Sequence, residues 1–144
     1  QQFSFYFNPT TSNILTMNTS VSSANTKKVR ANKKTEDTST VLQQYGLTNC
    51  QQLTDSLQGS IWSSSDINRN EYVVKVTNRA LHQRSSIKLE DGKEYFVQEN
   101  IKKEAKILKY LSQQSDCPDS IIKYIDFFKT SQNYYLVMEN GGFL

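Results

Sequence analysis

Tyr72-Val-Val-Lys-Val76 sets one lysine among β-branched and aromatic residues. That pattern favours a pleated strand. A period of two then places Tyr72, Val74 and Val76 on one face, and Val73, Lys75 and Thr77 on the other. Lys75 therefore lies between two apolar-side neighbours on a half-buried surface. A single lysine in such a place reads as an edge or solvent-facing residue. The segments on either side of the strand change that reading.

Downstream, residues 79 to 93 form a polar connection ending in the turn signal Asp91-Gly92. From about Glu94 to Ser112, the residues Val97, Ile101, Ala105, Leu108 and Leu111 recur at three- and four-residue steps. This spacing predicts a helix with one apolar face and one charged face. Asp116-Cys-Pro118 stops it, because proline cannot continue the hydrogen-bond ladder. Ile121 to Phe128 and Asn133 to Glu139 then read as two strands joined across Lys129-Thr-Ser-Gln132. Upstream, Leu47 to Leu53 and Ser60 to Asp66 are strand candidates, the second closed by the turn-prone Asp66-Ile-Asn-Arg-Asn70. The order is three strands, one helix, two strands. It predicts an α+β fold: a five-stranded antiparallel sheet with one packed helix, joined by short connections.

The apolar fraction is 36%, against roughly 45–50% in ordinary globular chains. The deficit sits in residues 1–44, a tail rich in Ser, Thr and Asn that reads as disordered or extended because those side chains compete with regular structure. The packed unit is expected over residues 45–144. Lys27, Lys28, Arg30, Lys33 and Lys34 account for the net charge of +3, whereas the chain from residue 49 onward carries twelve basic and twelve acidic residues. A near-neutral folded part argues against nucleic acid as a partner. Cys50 and Cys117 show no metal-site or disulfide spacing, which favours reduced thiols and an intracellular, cytoplasmic or nuclear, location. No apolar run of about 18 residues exists, so no membrane span is expected.

On the predicted helix, Glu104 stands one residue before Ala105 and three after Ile101, at the border of the apolar face. It can therefore look toward the sheet. A lysine that binds phosphate needs an anion behind it to fix its flexible side chain, and a helix carboxylate serves that purpose.

Taken together, Tyr72-Val-Val-Lys75, Lys103-Glu-Ala-Lys-Ile-Leu108 and Leu136-Val-Met-Glu139 resemble, in order and spacing, the small lobe of a eukaryotic protein kinase of Ser/Thr type, ending near the hinge. The resemblance covers about residues 45 to 144. It implies that Lys75 holds the α- and β-phosphates of ATP and that Glu104 is its ion-pair partner, with Glu99 and then Glu94 as alternatives. It also implies that Met138 lies at the back of the adenine pocket, that Glu139 and Gly141 offer backbone groups to the adenine edge, and that Leu53, Ile61 and Val73 line the pocket. In the family's Gly-x-Gly-x-x-Gly loop, this chain has Thr54, Ser56 and Gly59. Only the third glycine is present, and the β-carbons at the other two positions limit how closely the loop approaches a triphosphate. Val73 stands where the family has alanine. The magnesium ligands, the catalytic base and the protein-substrate surface would lie outside these residues. The expected function is thus the ATP-binding part of a protein kinase, inactive by itself, with a pseudokinase or kinase-like scaffold as the alternative.

Overall fold

The computed structural model describes residues 35–142. The polar stretch before residue 35, including the basic run, lies outside the described residues. Seven strands and three helices follow one another as α1 (Thr38–Tyr45), β1 (Thr48–Ser56), β2 (Gly59–Ser65), β3 (Glu71–Asn78), α2 (Arg79–His82), β4 (Ser86–Lys88), β5 (Glu94–Phe96), α3 (Ile101–Ser112), β6 (Tyr124–Lys129) and β7 (Asn133–Glu139). Five strands build an antiparallel sheet in the order β1-β2-β3-β7-β6. The fold is therefore α+β with a five-stranded antiparallel sheet and α3 packed on it.

Strand β3 occupies the centre, and its alternation divides the core in two. Val74 and Val76 pack with Tyr135, Val137, Leu42 and Leu47 on one face. Val73 joins Leu136, Met138, Tyr134, Ile101 and Ala105 on the other, beneath α3. Because β7 is buried along most of its length, both faces of the sheet's centre are covered.

The first face is covered by α1, inside the stretch expected to be irregular, so the packed unit begins earlier than residue 45. Asp37 caps this helix by accepting from the Thr40 amide at 3.3 Å, and Gly46 closes it in the left-handed region at φ 101°. An acceptor at the N-cap and a glycine past the last turn satisfy terminal groups that eight residues cannot pair internally. Leu42 is fully buried, and Tyr45 stacks on Phe128 at 4.3 Å between ring centroids while its hydroxyl donates to Asp126.

The helix expected from about Glu94 begins instead at Ile101. Asn100 caps it, its side chain accepting from the Lys103 amide at 3.1 Å. Residues 94–96 pair antiparallel with 86–88 around the Asp91-Gly92 turn. Tyr95 and Phe96 favour extended backbone, and the hairpin captures them before the helix starts. Glu94 consequently lies on β5, hydrogen-bonded to the Ser86 hydroxyl. No helix among the described residues is long and apolar enough to cross a membrane.

Candidate functional site

Lys75 stands midway along β3, opposite Ile61 on β2 and Leu136 on β7, with Val73 two residues away opposite Met138. Direct cross-strand neighbours share a face. Ile61, Val73, Lys75, Leu136 and Met138 therefore form one patch on the side of the sheet that faces α3. The buried Ile101 and Ala105 seat α3 on that patch, and this seating turns its first turn toward Lys75.

The Lys75 ammonium donates to Glu104 Oε2 at 2.9 Å and lies 3.2 Å from Glu99 Oε2. Its side chain is only 14% exposed, whereas Glu104 is 35% and Glu99 54% exposed. Burial alone would depress the lysine. The hydrogen bond and charge of Glu104, followed by those of Glu99, outweigh it and leave Lys75 above its ordinary value. The ammonium is thus charged and held between two carboxylates. Sequence spacing offered Glu99 only as an alternative to Glu104; both reach the lysine because Glu99 immediately precedes the capping Asn100, so the chain turns at α3's start beside β3.

The β1–β2 turn lies at one end of the patch. Thr54 is opposite Ile61, Ser56 is opposite Gly59, and Leu57-Gln58 forms the tip. The tip is fixed to the sheet: Gln58 is 2% exposed, its Nε2 donates to the Leu81 carbonyl at 3.3 Å, and its carbonyl accepts from Asn78 at 2.8 Å. Gly59 is demanded by packing, since a β-carbon there would stand 2.0 Å from the Val76 carbonyl oxygen.

At the other end, β7 leads out through Glu139, Asn140 and Gly141. The Glu139 amide donates to the Lys123 carbonyl and its carboxylate accepts from the Lys123 amide, both at 3.1 Å, while Asn140 N–H donates to the Glu71 carbonyl. These bonds fix the direction in which the chain leaves β7. Gly141 is exposed. Leu53, 38% exposed, sits where the β1–β2 register shifts between Gln52 and Thr54. It lines an open concavity of about 330 Å³ with Gln51, Ser63, Glu71 and Asn140. Ile61, Val73, Lys75 and Met138 do not line that concavity; they lie further along the sheet, beneath α3.

A second charged cluster escaped the sequence reading. His82, inside the stretch that reads as a polar connection, lies on α2 with its ring 5.3 Å from that of Tyr134 in an edge-on arrangement. Arg79 and Lys102 approach the same tyrosine ring to 5.5 and 4.9 Å. Burial, then the Lys102 charge, lowers His82 below its ordinary value. No local sequence signal joins these residues, because they come from α2, α3 and β7.

No family model matches the chain, and no curated protein matches it. Among solved structures the chain is similar to a crystal structure of a kinase domain, at 22% identity and a TM-score of 0.41. The likeness covers 65% of this chain and 25% of the length of that kinase-domain chain.

Proposed function

We propose that this chain forms the nucleotide-holding part of a protein kinase catalytic domain, acting in the complete enzyme on protein Ser/Thr hydroxyls. The observation that carries the reading is the Lys75–Glu104 contact at 2.9 Å between the central strand and the helix across it. In this role Lys75 receives the α- and β-phosphates of ATP, and Glu104 keeps its ammonium in place when the nucleotide leaves. Ile61 and Val73 offer an apolar surface to the adenine, with Met138 behind it and the Glu139 carbonyl and Gly141 amide at its edge. Bound ATP with magnesium supplies the transferable phosphoryl group, its metal held by residues outside residues 1–144. This chain's residues bind and orient it.

A second reading, a pseudokinase or kinase-like scaffold, draws on two observations. Glu99 brings a second carboxylate to Lys75, so a triphosphate would meet two negative charges there. The β1–β2 tip is also pinned by Gln58 rather than built from glycines.

Thermal melting of the full chain with and without Mg-ATP, for the natural sequence and Lys75→Met, tests the proposal. A ligand that binds only the folded state at one hundred times its Kd stabilises by about 2.7 kcal/mol. The kinase reading expects a concentration-dependent rise in Tm that Lys75→Met loses. A natural chain indifferent to millimolar Mg-ATP, or a variant that responds equally, rejects it. Nucleotide binding without phosphoryl transfer by the full-length protein would favour the scaffold.

A further inference from the structure

Two cations from separate elements lie over the Tyr134 ring, and a third stands across from it in the sheet. Arg79 stands at the start of α2 with its guanidinium 5.5 Å from the ring centroid, and Lys102 in the first turn of α3 with its ammonium at 4.9 Å. Lys129 ends β6 directly opposite Tyr134 in the β6–β7 register. The Tyr134 ring is covered, stacked against Phe127 at 5.9 Å and met edge-on by His82. Lys102 and Lys129 are exposed.

Like charges gathered this closely repel one another, and a protein usually interleaves carboxylates among them. Here none stands within ion-pair distance of them. Among the described residues, the ion pairs are those of Lys75, Lys93 and Lys123, and none involves Arg79, Lys102 or Lys129. The Glu36 carboxylate, just ahead of α1, is occupied by Thr130, Asn133 and Tyr135 of the β6–β7 hairpin at 2.7, 2.8 and 3.1 Å. Tyr135 points to the face opposite Tyr134. Lys102 also stands near a helix N-terminus, where the backbone dipole disfavours a cation and favours an anion.

We propose that Arg79, Lys102 and Lys129 form, around Tyr134, a binding site for a phosphate group, distinct from Lys75 and independent of the nucleotide reading. Arg79 spends part of its fork on the Thr130 and Ser131 carbonyls, at 2.8 and 3.3 Å, which holds the guanidinium in one place. Lys102, and with it Arg79, also holds the Tyr134 hydroxyl below its ordinary value, and a bound oxyanion would share those donors. The two lysines, on α3 and β6, supply adjustable point charges. The buried His82 Nδ1 takes no hydrogen bond among the described residues. Its ring lies near enough to feel a bound dianion. The phosphate could come from the free ion or from a phosphorylated side chain of a peptide.

His82 is the only histidine in the chain, so its ring-proton NMR signal reports on this site alone. The full chain is titrated with inorganic phosphate, with a phosphoserine peptide and with the matching serine peptide, for the natural sequence and for Lys102→Met, Lys129→Met and Lys75→Met. Both site lysines are exposed, so their variants keep the fold, which the amide spectrum verifies. The site predicts a saturable His82 shift with phosphate, a rise in the histidine's pKa as the anion offsets Lys102, and roughly threefold to fivefold weaker binding for each lost site lysine. Lys75→Met binds as the natural chain does. A phosphopeptide binding tighter than inorganic phosphate identifies a phosphorylated side chain as the source, and equal affinities identify the free ion. Overturning results are no saturation in the millimolar range, undiminished affinity in both site variants, loss of binding with Lys75→Met, or equal binding of the serine peptide.

Discussion

Glu104 on α3 holds the Lys75 ammonium on β3 at 2.9 Å across 29 residues of sequence, and Glu99 stands behind it at 3.2 Å. Two carboxylates on one shielded ammonium make each partly redundant. Glu104→Gln or Glu99→Gln alone leaves the charge paired and is expected to cost about 1 kcal/mol. The double variant leaves a largely covered ammonium without a counter-ion, and its cost rises to about 3 kcal/mol, more than the sum of the singles. Urea denaturation of the three variants measures this. Strict additivity would mean that only one carboxylate engages the lysine in solution.

His82 is expected to titrate below its ordinary value of 6.5, because burial and then the Lys102 charge both oppose its protonation. The linkage follows in sign. A histidine whose folded pKa is depressed contributes stability that is complete above the unfolded value and is lost as pH falls through the folded one. Mild acid below pH 6.5 should therefore destabilise the natural chain more than His82→Phe. Lys102→Met should raise the histidine's pKa toward its ordinary value. Proton NMR titration gives the pKa, and denaturation at several pH values gives the slope. A His82 titrating at or above its ordinary value would contradict the packing of α2 against Tyr134.

The central sheet was legible because its strands carry their own signals. The β-branched alternation in β3 and the apolar run of β7 fix both the elements and the face on which Lys75 lies. The start of α3 was not legible. Val97 extends the helical spacing of Ile101 and Ala105 backward, but Tyr95 and Phe96 are drawn into the β4–β5 hairpin, a pairing decided by the turn and not by periodicity. For α1 the signals were present, Asp37 before it and Gly46 after it. Eight residues with so few apolar positions show no clear period. The Arg79–Lys102–Tyr134 cluster draws on three elements, so nothing short of the fold reveals it.

Leu42 and Glu36 test whether α1 belongs to the domain. Leu42 is fully buried against Val74, Val76, Tyr135 and Val137, and Leu42→Ala removes methyl groups from a site that cannot collapse freely. A loss of about 2–5 kcal/mol is expected. Glu36 accepts from Thr130, Asn133 and Tyr135; burial of Tyr135 raises that tyrosine to about 12, and the charge and hydrogen bond of Glu36 add to the rise. Glu36→Ala strands those donors and is expected to cost about 1–3 kcal/mol. Removing residues 1–45 should cost more than either substitution, whereas removing residues 1–33 leaves both contacts intact. Chemical denaturation of the two truncations decides it; equal stability would make α1 an accessory.

Gly59 separates a packing role from a phosphate-cradling one. Its backbone runs so close to β3 that a β-carbon would stand 2.0 Å from the Val76 carbonyl oxygen, 2.9 Å from its carbon and 3.1 Å from Thr77 Cα. All three are backbone atoms, which cannot swing aside as a side chain would. Gly59→Ala must therefore push β2 from β3 and strain the bond from the Asn78 amide to the Gln58 carbonyl at 2.8 Å. A loss of about 3 kcal/mol is expected, at the upper end for overpacking, with no nucleotide present. Gly46→Ala meets no atom within 4 Å, yet holds φ at +101°, so it should cost only about 1–2 kcal/mol, the price of a left-handed conformation for an ordinary residue. Ligand-free denaturation of both variants compares them. Were Gly59→Ala as stable as the natural chain and impaired only in Mg-ATP binding, the glycine would serve the ligand and not the sheet.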